Sequence, residues 1–163
     1  MKKKAPKTTK QTEPVHFEMP MTFREHRGVL HENYNDLKKA LRMMVSYDAD
    51  RAPFVGTIAD RLQRLECSPE ILKHRREMRQ RQLQELQSAL AAARVTFEAV
   101  ANVINGHIEL FGYARDRQVQ LLTYEQHELG QTISNTDREM AGYVERIDAH
   151  TKAVNFLLEG GRI

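Results

Sequence analysis

Between Leu83 and Ala114, apolar residues return at alternating steps of three and four: Leu83, Leu86, Leu90, Ala93, Phe97, Val100, Ile104, His107, Phe111 and Ala114. His107 is the one polar member of this a/d seam. Such spacing draws a narrow apolar stripe along one side of a helix, and another helix must cover it.

A second seam follows, one residue out of step with the first. It runs through Val119, Leu122, Gln126, Leu129, Ile133, Thr136, Met140, Tyr143, Ile147, His150, Val154 and Leu157. Extending the first register instead would place Gln118, Leu121 and Glu125 on the stripe, which mostly fails. The phase slips beside Gly112 and the polar run Arg115-Asp116-Arg117-Gln118. A turn near 113–117 therefore divides residues 68–159 into helices over about 69–112 and 117–158, the equal arms of an antiparallel hairpin. Two rivals compete with it. One is a single helix that absorbs a skipped residue; the other is a turn near Gly130, where Ser134-Asn135-Thr136-Asp137 offers a fresh cap.

Ahead of the hairpin, Thr22 and Glu25 are spaced as a capping box. Phe23, Leu30, Leu37 and Met44 then recur every seven residues, with Tyr34 and Leu41 widening the stripe. This predicts a helix over about 22–47. Pro53 disfavours helix at Ala52 and ends regular structure there. Phe54, Val55, Ile58, Leu62 and Leu65 predict a short second helix over 54–66. Ser68-Pro69-Glu70 is the clearest helix start, with a capping serine, proline at the first helical position and an acid at the positive end of the helix dipole. Gly160-Gly161-Arg162-Ile163 are expected to fray.

The expected fold class is all-α: an elongated, coiled-coil-like antiparallel hairpin. Residues 21–67 form an N-terminal helical segment packed at one end of it. Few glycines and prolines, 7% aromatics and no tryptophan agree with a helical chain. Residues 1–20 are Lys-, Thr- and Pro-rich, with too little apolar surface to offset the cost of ordering, and read as a disordered basic arm.

Charge is uneven. The first ten residues hold five lysines and no acid, leaving 20 of the 25 bases against 22 acids in the rest of the chain. The basic character thus belongs to the arm (Lys2, Lys3, Lys4, Lys7, Lys10) and to one cluster at the head of the hairpin (Lys73, Arg75, Arg76, Arg79, Arg81). Cations near a helix N-terminus oppose its dipole. Both groups are candidate contacts for phosphate or an acidic partner; a solvated helix face, or pairing with the neighbouring helix, is the structural alternative. Residues 58–72 depart from a helix-turn-helix, since the turn is several residues too long and lacks its glycine.

Signals for catalysis and metal binding are weak. A single cysteine, Cys67, excludes an intramolecular disulfide and a cysteine-based zinc site. From residue 22 onward no Glu precedes a His by three, the spacing a helical di-iron site needs. His107 and His150 both lie on seams but, with a turn near 115, on the order of 40 Å apart. They read as polar residues that fix register. No phosphate-cradling glycine motif occurs, and no histidine has a defined relation to Cys67. No catalytic residue, metal or cofactor is expected, and no small-molecule substrate.

The sequence therefore predicts a non-enzymatic interaction protein, a scaffold, adaptor, assembly chaperone or virion component acting through helix–helix association. Val95, Val103, Ile108, Leu121, Val144 and Phe156 remain for a partner or a second copy. A homo-oligomer or a helical protein partner is expected, with nucleic acid and then a membrane surface as alternatives. The N-terminus has no apolar core of a signal peptide and no span is long enough to cross a membrane, so a cytoplasmic setting is expected.

Overall fold

The computed structural model describes residues 22–45, 55–112 and 117–162. They form four helices: α1 (Phe23–Val45), α2 (Val55–Arg64), α3 (Pro69–Phe111) and α4 (Arg117–Leu158). The expected turn segment 113–116 and the expected basic arm lie outside the described residues, as does Tyr47, the expected end of the first helix.

The chain is all-α, and α3 and α4 pack antiparallel as its two long arms. Arg94 pairs with Asp137, and Arg76 Nη1 donates to Asn155 Oδ1 at 2.7 Å. Both pairs centre between residues 115 and 116, so the register itself places the fold-back where the seam changes phase. With 43 and 42 residues, the arms are each about 65 Å long at the helical rise. The helix continues through Gly130, and both rival topologies fall away.

Local chemistry sets the helix ends. Thr22 N–H donates to Glu25 Oε2 at 2.7 Å and Glu25 N–H donates to Thr22 Oγ1 at 3.3 Å, the reciprocal capping box. Ser68 caps α3 by accepting from Ile71 N–H at 3.4 Å, with Pro69 in the first turn. The Glu70 carboxyl, bonded to its own backbone and to Ser68, is held below the usual carboxylate range. At the far end, Gly160 N–H donates to Leu157 O at 3.1 Å and Gly161 N–H to Phe156 O at 3.0 Å. With Gly160 at φ 85°, this is a Schellman cap.

The two short helices divide the hairpin between them instead of sharing one end. α1 runs antiparallel to α3, with Phe23 against His107 near the fold-back and Asn33 bonded to Thr96 further along. It closes a three-helix core of Leu30, Leu37 and Met44 against Leu86, Leu90, Val100, Leu129, Ile133, Tyr143 and Ile147. α2 packs on the other end of α4 and forms a smaller core, Ile58, Ala59 and Leu62 with Leu72, Ala149, Ala153 and Val154. Each leucine so buried contributes about 1.5–3 kcal/mol. α2 ends at Arg64, and Leu65, expected on its apolar stripe, is 59% exposed in the turn that follows.

Candidate interaction surfaces

The predicted seam residues sit mostly in the helix–helix interface. Leu86, Leu90, Val100 and Ile104 of α3 are buried, as are Val119, Leu122, Leu129, Ile133, Tyr143, Ile147 and Val154 of α4. Leu83, Phe97, Met140 and Leu157 are half-buried at its edges. Thr136, a seam position, is admitted to the core because its hydroxyl donates to the Thr132 carbonyl at 2.7 Å. Phe111 departs from the pattern. It is 73% exposed. Its ring leans on His107, at 4.9 Å between centroids, and so crowns the end of the bundle.

The basic cluster at the head of α3 splits in two. Lys73, Arg75 and Arg81 are exposed, whereas Arg76 and Arg79 are half-buried against the hairpin. Arg76 is tied to Asn155 and Arg79 Nη1 donates to Gln82 Oε1 at 3.4 Å. The five cations thus do not share a face. Lys2, Lys3, Lys4, Lys7 and Lys10 lie outside the described residues.

Arg76 and Arg79 belong to a polar belt that separates the two apolar cores. On α4, Arg146 is stacked over the Tyr143 ring at 4.9 Å, and His150 lies within reach of the Arg79 and Arg75 charges. His150 is buried and its pKa is pushed down to about 4, first by loss of solvent and then by the charges of Arg79 and Arg75. At neutral pH it is an uncharged core residue. His107 and His150 occupy opposite parts of the hairpin, and among the described residues no group of three or more His, Cys, Asp or Glu could hold a metal ion. Cys67 is half-buried in the α2–α3 connection with a free thiol.

α1 is fastened at the fold-back end by a charged clamp. Arg27 Nε and Nη2 grip both oxygens of Glu125 at 2.7–2.9 Å, and His31 Nε2 approaches the same carboxylate at 3.1 Å. Partial burial raises the Glu125 pKa, but the hydrogen bond from Arg27 and the charges of His31 and Arg27 outweigh it and leave the carboxyl below its usual range.

Apolar side chains also reach solvent at that same end. Leu110 is 79% exposed and Tyr124 63% exposed, and Ile108 and Leu121 also reach solvent. Between α3 and α4 lies a groove of about 520 Å³ lined by Ile104, Ile108, Val119, Thr123, Tyr124 and His127. Of the six residues expected to remain for a partner, Val103 is instead packed against the core, while Val95, Ile108, Leu121, Val144 and Phe156 stay exposed. Heptad reasoning passed over Leu110 and Tyr124.

No family model, curated protein or solved structure matches the chain. Among the described residues no helix is long and apolar enough to cross a membrane.

Proposed function

We propose that this chain is a non-enzymatic interaction protein, a helical scaffold or adaptor that works by helix–helix association with itself or with a helical protein partner in the cytoplasm. One observation carries the reading. A hairpin braced along its length by α1 and α2 still holds large apolar side chains in water, Val95, Leu110, Phe111 and Tyr124 among them. Contiguous exposed apolar surface marks association sites. The free thiol of Cys67 supports a reducing compartment.

A photo-crosslinking residue at Val95 or at Tyr124, introduced in the native host, tests this reading. Protein adducts at either position are the expected result. Adducts with nucleic acid or lipid alone, or none at both positions, would overturn it.

Nucleic-acid binding is the second reading, favoured by the joint exposure of Lys73, Arg75 and Arg81 on α3. It is weakened by the engagement of Arg76 with Asn155. Phosphate contacts would hold duplex DNA or RNA at about 50 mM salt and release it by about 200 mM.

A further inference from the structure

We propose that α2 is a detachable strap, which undocks from α4 as a unit and uncovers the Cys67 thiol while α1, α3 and α4 stay packed.

The hold on α2 is narrow. Among the described residues its backbone approaches that of α4 and of no other helix. Ile58, Ala59 and Leu62 seat it on Ala149, Ala153 and Val154, and α3 adds Leu72 to that buried core. α1, by contrast, spans 23 residues, reaches both long helices and is clamped by Glu125. With 10 residues, α2 is too short to stay helical in water without its seat. Undocking and unwinding are therefore one event.

Local sequence weakens the strap at both ends. Its first turn carries no acid to meet the helix dipole, and it holds Gly56. A β-carbon at Gly56 would meet nothing within 4 Å, so packing does not require the glycine. At the other end, Glu66 N–H donates to Gln63 O at 3.0 Å and Glu66 sits at φ 48°. That left-handed conformation is unfavourable for a residue with a β-carbon, and undocking lets the turn relax. Cys67 follows directly, half-buried against the same small core. Beside it a cavity of about 410 Å³ lies among Leu62, Leu72, Leu157 and Gly160, so the seat under the end of α2 is incompletely filled.

Labelling of Cys67, the one cysteine of the chain, with a bulky maleimide under native conditions tests this. A thiol that reacts from the undocked form is labelled in proportion to the population of that form. The wild-type rate is expected to lie well below that of the chain unfolded in urea. Leu62→Ala is expected to raise it by about 30-fold or more, up to the unfolded limit. Gly56→Ala, which favours the docked helix, is expected to lower it by about two- to fivefold. Leu37→Ala, in the larger core, should leave it unchanged. A rate that neither Leu62→Ala nor Gly56→Ala moves means the thiol reacts with α2 in place, and the proposal fails. Equal acceleration by Leu37→Ala and Leu62→Ala means the whole bundle opens together, and it fails again. Where Leu62→Ala abolishes docking altogether and labels at the unfolded limit, the slowing by Gly56→Ala decides alone.

Discussion

The ring of Phe97 on α3 lies against the bare α-carbon of Gly130 on α4. A β-carbon at residue 130 would come within 2.6 Å of Phe97 Cε2, closer than real contacts allow. Gly130 is thus not a turn residue but a notch in a continuous helix that lets the two long arms approach. Alanine there would gain about 1 kcal/mol of helix propensity, against about 1–3 kcal/mol for overpacking. Gly130→Ala alone is expected to be neutral to destabilising, and Gly130→Ala with Phe97→Leu to be more stable than Phe97→Leu alone. Urea unfolding of the four proteins gives the coupling. Additive effects would mean the ring and the glycine are not in contact.

His150 makes stability depend on pH in a defined window. Its folded pKa, about 4, lies below the ordinary value of 6.5. Between those values the unfolded chain takes up a proton that the folded chain refuses, so stability is full above about 6.5, falls as pH drops towards 4 and levels off below. The difference between the two values amounts to on the order of 3 kcal/mol. His150→Leu is expected to remove that part of the slope. Denaturant curves at pH 7.5 and pH 4.5 check it, and an unchanged slope in the variant would place the pH dependence elsewhere.

The Arg27–Glu125 clamp holds the first turns of α1 on the hairpin. Glu125→Gln is expected to speed hydrogen exchange in the α1 turns around Arg27 while leaving α2 unaffected. Because the folded carboxyl titrates below its ordinary value of 4.5, the clamp is present above that pH and is lost as pH falls through the folded pKa. Salt should loosen the wild-type clamp and leave the variant unmoved. Equal salt sensitivity in both would remove Glu125 from the account.

The hairpin was legible from residue types because heptad phase is a local property. Each seam reports which side of its own helix is covered, and the one-residue slip between Ala114 and Val119 marks where that side must change. What covers the stripe is not local. The repeats at Leu30, Leu37 and Met44 and at Ile58 and Leu62 show two more amphipathic helices, yet nothing in their spacing assigns one to each end of the hairpin. That assignment comes from pairs far apart in the chain, Arg27 with Glu125 and Asn33 with Thr96. The same limit applies to Phe111, which keeps the seam's period yet stays 73% exposed. Arg76 was open to a phosphate contact or to pairing with the neighbouring helix, and its amide partner lies 79 residues away on α4.

The belt of Arg76, Arg79 and His150 lies between the two apolar clusters, so the two cores are expected to open separately. Leu37 has no exposure in the larger core, and Leu62 is buried in the smaller one. Truncating either to alanine removes buried methyl groups and leaves a cavity, at about 2–5 kcal/mol. Leu62→Ala is expected to lower protection of the α2 amides while those of α1 keep theirs, and Leu37→Ala to do the reverse, because α1 and α2 touch different stretches of α4 and not each other. Native-state hydrogen exchange resolves such sub-global openings. If either variant loosens α1 and α2 to the same degree, the long helices transmit the loss across the belt and the bundle opens as one unit.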